Sequence, residues 1–163
     1  MFENVITCPW KHGQSKNGVD NGANEILQYI KTKAYYQHFI DLPDCNESNE
    51  LYNHKLYEQH LNCKGNTLCI GGDHSIAIGS VLSSLTKNKT TCVIWIDAHP
   101  DIHTISSSKS GNIHGMPLSF ITGLENKWKW VNSLNFLKFD NLYYFGIRDI
   151  DDFEFKVLKS QNI

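Results

Sequence analysis

Cys92-Val93-Ile94-Trp95-Ile96-Asp97-Ala98-His99-Pro100-Asp101 is the stretch on which the reading of this chain turns. The apolar half is too short for a helix and rich in β-branched and aromatic residues, so it predicts a buried strand over Thr91 to Ile96. The strand stops abruptly at two carboxylates and an imidazole. In open α/β sheets ligands bind beyond the carboxyl ends of the strands, so these groups point to a divalent metal.

The same pattern recurs on either side. Thr67-Leu68-Cys69-Ile70 is a strand candidate ending in Gly71-Gly72-Asp73-His74-Ser75, with a helix expected over Ile76 to Leu85. Asn141-Leu142-Tyr143-Tyr144-Phe145-Gly146 reads as another buried strand, ending in Arg148-Asp149-Ile150-Asp151. Towards the N-terminus, Asn4 to Cys8 and His38 to Leu42 are short strand candidates. Helices are expected over Ala23 to Tyr36, with Ile26, Leu27, Ile30 and Ala34 on one side, over Leu51 to Leu61, and in the segment Leu118 to Leu124. A polar loop with Gly13, Gly18 and Gly22 precedes the first helix. The serine-bearing stretch Pro100 to Asn112 is of a length that is usually functional or disordered. Strands alternating with helices predict a three-layer α/β/α arrangement around a mostly parallel sheet.

Composition bounds the rest. The chain has 163 residues, one domain's worth, with 40% hydrophobic and 20% charged residues and a formal net charge of -2. That balance makes no electrostatic case for nucleic acid or a membrane surface. No apolar run approaches the roughly 20 residues of a membrane span. Met1-Phe2-Glu3-Asn4 lacks a signal-peptide layout, so a cytoplasmic location is expected. Five cysteines with no Cys-x-x-Cys pair read as free thiols, Cys92 within the core strand. A single arginine, Arg148, stands among fifteen basic residues, and no mechanism attaches to it.

Four of the eight histidines lie between His74 and His114. Imidazole with several carboxylates suits Mn²⁺, Fe²⁺ or Zn²⁺, and the carboxylate-rich mix leans to Mn²⁺. Singly, Asp73 and Asp97 read as helix caps and each histidine as a hydrogen-bonded loop residue. Polar clusters at three successive strand ends favour a site.

Gly71-Gly72-Asp73-His74-Ser75, Asp97-Ala98-His99-Pro100-Asp101 and Ser110-Gly111-Asn112-Ile113-His114-Gly115-Met116-Pro117 together resemble the signatures of the ureohydrolases, and of the arginase family in particular. Gly13-Gln14 through Gly18-Val19 to Gly22, and Gly146-Ile147-Arg148-Asp149-Ile150-Asp151, are weaker matches in the same order. The resemblance implies Mn²⁺-dependent hydrolysis of L-arginine to L-ornithine and urea, with two ions activating water. It implies His74, Asp97 and Asp101 on the first ion, and Asp97 with His99 on the second. Asp101 would also move a proton from the attacking water, and His114 would act as a proton shuttle to the leaving amine. Ser110 and Asn112 match residues that hold an amino acid's α-carboxylate, and Asp151 one that holds its α-amino group. His103 stands where the family usually carries asparagine, a change that bears on substrate recognition.

The family also has a later strand ending in Asp-x-Asp-x-x-Asp-Pro, and no such segment precedes Ile163. Asp149-Ile150-Asp151 is not its counterpart, because no Asp-Pro follows. The expectation is therefore a single unit over 1–163, the N-terminal part of an arginase-type domain lacking the C-terminal strands, with the second metal position incomplete. Between the strands ending at His74 and Asp97 the resemblance implies a gap that those strands would fill. Activity is expected to be impaired, or restored by a complementary C-terminal fragment or a homo-oligomer. The alternatives are an inactive remnant that still binds metal or an amino acid, and a hydrolase of agmatine or an acylated amine.

Overall fold

A computed structural model describes residues 2–33 and 36–163, so Ala34 and its place on the first helix lie outside the described residues. In chain order the main elements are β1 (Asn4–Cys8), α1 (Val19–Lys33), β2 (His38–Asp41), α2 (Asn49–Asn62), β3 (Thr67–Gly71), α3 (Ala77–Lys87), β4 (Val93–Ile96), α4 (Pro117–Thr122), β5 (Leu142–Phe145) and α5 (Asp152–Ser160). All pairing is parallel. The strands form two groups, β2-β1-β3 and β4-β5.

β1 is buried along its whole length and centres the first group. Successive side chains point to opposite faces of a strand. Val5 accordingly packs with Ala23, Leu27 and Ile30 of α1 and with Ile70, while Ile6 and Cys8 pack with Trp10 and with Tyr52 and Leu56 of α2. Helices on both faces of parallel strands give the three layers expected. The largest core cluster lies under β4-β5, where Trp95 and Leu142 meet Ile78, Leu82 and Leu85 of α3 and Leu118, Phe120 and Ile121 of α4.

β4 and β5 are buried on one face only, which corrects the reading of both as buried strands. Ile94 pairs in register with Tyr143 and Ile96 with Phe145, and these four side chains are between 55% and 73% exposed. No helix among the described residues covers that side, and a continuous apolar run is the same in sequence whether one face or two will be covered. Cys92 precedes the strand and is exposed rather than in the core. Two helix starts also shift: α1 begins at Val19 and so contains Gly22, and a 3₁₀ turn over His74–Ile76 precedes α3.

The Gly71-Gly72 pair ties the end of β3 to the segment after β1. The Gly72 amide donates to the Cys8 carbonyl at 3.2 Å and the Asp73 amide to the Trp10 carbonyl at 2.8 Å. A Cβ on Gly72 would run into the Trp10 backbone carbonyl. Gly72→Ala is expected to cost about 1–3 kcal/mol, read by urea denaturation with midpoint and slope compared. Replacing Ile96 and Phe145 together by serine is expected to leave stability within about 0.5 kcal/mol and to lower binding of an apolar dye. Unchanged dye fluorescence would show that face covered in solution.

Candidate metal centre

The site is assembled where the chain leaves β3, β4 and β5. After Gly71 the side chain of Asp73 turns back on the backbone, accepting from the Ser75 amide at 2.9 Å and the Gly13 amide at 2.8 Å. Asp73 is thereby a helix cap, and His74 is the group presented outward. Its ring lies on the indole of Trp95, centroids 4.4 Å apart, which fixes its orientation from the β4 side.

Beyond β4, Asp97 caps its own turn, with Oδ1 accepting from the His99 amide at 2.9 Å. The loop is held from several directions. Tyr144 Oη donates to the Pro100 carbonyl at 3.0 Å, the amides of Arg148 and Asp149 donate to the Ala98 carbonyl, and Leu118 donates to the Asp101 carbonyl. Asp101 sits in the left-handed region with φ of 51°. That conformation costs a non-glycine residue about 1–2 kcal/mol, least for Asp and Asn, and persists where surrounding contacts over-determine it.

Three donors converge. His74 Nδ1 lies 3.0 Å from Asp97 Oδ2 and 2.8 Å from Asp101 Oδ2, with Asp101 buried. Adjacent ligands around an ion with bonds of about 2.1 Å stand about 3 Å apart, so these separations are those of neighbouring positions on one coordination shell. One nitrogen and two carboxylate oxygens form a donor set that fits a divalent first-row ion. Burial acts to lower the His74 pKa, but the hydrogen bond and charge of Asp101, with Asp97 and Asp73, outweigh it and hold the ring above its ordinary value.

Of the other expected site residues, His99, His103, His114 and Asp151 line the same cavity, of about 400 Å³, together with Gly115, Asp149 and Glu154. His99 stands beside the triad, 3.5 Å from Asp97 and 3.5 Å from the exposed Asp149, and is itself more than half exposed. His114 is anchored through its backbone amide to the Gly13 carbonyl. Ser110 and Asn112 border an adjoining recess of about 200 Å³ with His103, Lys109 and Asp151. His103 Nε2 lies 2.8 Å from Asp151 Oδ2. Burial acts to raise the Asp151 carboxyl, yet the Glu154 amide, the His103 ring and the Phe153 amide outweigh it and set it below the usual range.

Glu154 was not among the expected residues. Its carboxylate closes a capping box on α5 with Asp151, and burial raises its pKa, only partly offset by the Asp151 and Ile102 amides. The Asp-x-x-Glu spacing at 151–154 was its available signal in the sequence.

A sequence model of the arginase family matches residues 4–163. Arginase of Plasmodium falciparum is 39% identical over 159 residues, covering 93% of this chain and 38% of the relative. Mitochondrial arginase-2 of Rattus norvegicus is 33% identical, covering 98% and 53%. Among solved structures, arginase from Bacillus subtilis superposes with a TM-score of 0.84 at 33% identity, over 100% of this chain and 62% of that one. Entamoeba histolytica arginase, solved in complex with L-ornithine, gives a TM-score of 0.80 at 28% identity, over 99% and 64%. The chain thus spans less than two thirds of the length of each of these relatives. With an arginase-like α/β fold, the family's ordered motifs at the strand ends, and a family match over nearly all its length, the chain belongs to the arginase family.

Proposed function

We propose that this chain forms the N-terminal part of a Mn²⁺-dependent cytoplasmic hydrolase that converts L-arginine to L-ornithine and urea once a further segment completes it. The observation that carries the reading is the meeting of His74, Asp97 and Asp101 at 2.8–3.0 Å. Those three residues would hold one Mn²⁺, and Asp97 with His99 would contribute to a second. Bound there, divalent ions lower the pKa of water and orient it as the nucleophile.

The chain's own groups account for the remaining work. Asp97, Asp101, Asp149, Asp151 and Glu154 give the cavity an acidic lining suited to a guanidinium cation. Asp101, buried and fixed by its turn, takes a proton from the attacking water. His114, which lines the same cavity, returns a proton to the departing amine. Ser110 and Asn112 supply donors to the substrate's α-carboxylate in the adjoining recess. Asp151 faces the α-amino group, with His103 beside it in place of an asparagine.

The completing segment would supply the second ion's remaining ligands, pair with the free edges of β3 and β4, and cover the Ile94–Phe145 face. Until it does so, the exposed His99 favours a second reading, in which the chain by itself binds metal or an amino acid without turnover.

Mn²⁺ binding followed by calorimetry is expected to be weak in the isolated chain, and Asp101→Asn, which keeps shape and removes charge, is expected to weaken it about tenfold or more. Equal affinity in the two proteins would remove the triad as the binding site. Urea release from L-arginine with Mn²⁺ present is expected at trace level from the isolated chain. Turnover at ordinary enzymatic rates, abolished by His99→Ala, would show that no further segment is required, and a preference for agmatine would reassign the substrate.

A further inference from the structure

The cavity around the His74 group and the recess that adjoins it differ in charge. Asp97, Asp101, Asp149, Asp151 and Glu154 line the cavity, while among the described residues Lys109 is the single lysine or arginine lining either space. We propose that Lys109 is a specificity-determining residue, its ammonium selecting substrates with a free α-carboxylate over decarboxylated amines. The inference rests on the substrate reading above and adds to it a residue to which that reading gives no role.

Lys109 is free for this task. It is exposed, and its side chain forms no ion pair or hydrogen bond among the described residues. The one carboxylate lining the same recess is Asp151, and that group is already served. Its Oδ2 is hydrogen-bonded to His103 Nε2 at 2.8 Å, and its Oδ1 accepts from the amides of Phe153 and Glu154, both at 2.9 Å. The ammonium therefore remains available to an incoming anion.

Neutral donors on the same turn are few. Ser108 Oγ accepts from the Gly111 amide at 3.1 Å and Ser110 Oγ from the Asn112 amide at 3.2 Å, with the turn closing through Gly111 at a φ of 70°. The two hydroxyls lie 3.4 Å apart, so one hydroxyl hydrogen is shared between them. One further hydroxyl hydrogen and the Asn112 side-chain amide are left for a ligand. A carboxylate brought beside a cavity lined by acids is repelled unless a cation meets it. Charge-assisted hydrogen bonds are also about twice as strong as neutral ones. Lys109, with three donors on a flexible stem between Ser108 and Ser110, supplies that cation. Discrimination then works in both directions. The ammonium attracts a carboxylate, whereas in a decarboxylated amine it faces only a like charge with no anion to offset it.

The test uses the metal-free 163-residue chain labelled with ¹⁵N, titrated with L-arginine and separately with agmatine, the same molecule without its α-carboxylate. Amide shifts of Ser108 to Asn112 read occupancy of the recess. Lys109→Met, which keeps the stem and removes the charge, is expected to weaken L-arginine binding about three- to fivefold and to leave agmatine binding unchanged or tighter. Lys109→Arg is expected to restore the preference of the unaltered chain. Equal L-arginine affinity in the unaltered and Met proteins would overturn the role of Lys109 and leave the substrate reading standing. An equal loss for both ligands would mark a structural role only and overturn it too. Failure of L-arginine to move these amides in the unaltered chain would instead overturn the substrate reading on which the proposal rests.

Discussion

The contact of His74 with Asp97 and Asp101 is the constraint around which the site half of this molecule is organised. β3 and β4 share no backbone ladder, so no hydrogen-bonded register sets the end of one against the end of the other. Their alignment comes instead from α2 packed on α3 beneath them and from this cluster above. Two carboxylates drawn to one imidazole repel each other unless positive charge lies between them. The two carboxylates accordingly raise the His74 pKa, and a divalent ion between them would offset their repulsion more strongly.

The apolar side of β4-β5 follows from what packs against the pair. A two-stranded parallel pair is marginal without a layer on each face, and here α3 and α4 supply one layer only. Ile94, Ile96, Tyr143 and Phe145 then present a contiguous apolar surface beside an unpaired strand edge, a combination that favours association with another polypeptide.

Much of this was legible in the sequence because strand ends announce themselves. Apolar runs followed by His74, by Asp97 to Asp101 and by Asp149 to Asp151 located three strands and placed their polar termini at one edge. What escaped notice depended on partners distant in the chain. The run from Val93 to Ile96 carries no mark of being covered on one side, since that is decided by what packs against it. Gly22 suggested loop, yet α1 includes it because Ala23, Leu27 and Ile30 gain burial against Val5 and Ile70, outweighing the roughly 1 kcal/mol cost of a helical glycine. Helix α5 is short and buries only Glu154 and Leu158, so its capping box was its clearest mark in the sequence.

Why the metal-binding turn stays ordered while its strands lack a common ladder follows from Asp101. Its left-handed backbone is unfavourable in isolation, and nothing in the local sequence enforces it. The neighbours do so collectively: Tyr144 holds Pro100, Leu118 holds the Asp101 carbonyl, and Glu154 contacts the Ile102 amide, each from a different element. Position 101 is therefore set by β5, α4 and α5 rather than by β4 alone. Those contacts lie within the chain and do not depend on what covers the far face of β4-β5, so the His74, Asp97 and Asp101 donor set can be preorganised by them. The Ser110–Asn112 end has no comparable clamp, its hydrogen bonds running largely within the loop itself. Rigidity in this cavity is concentrated at the metal-binding end, where displacement by a fraction of an ångström would separate His74 from its two carboxylates.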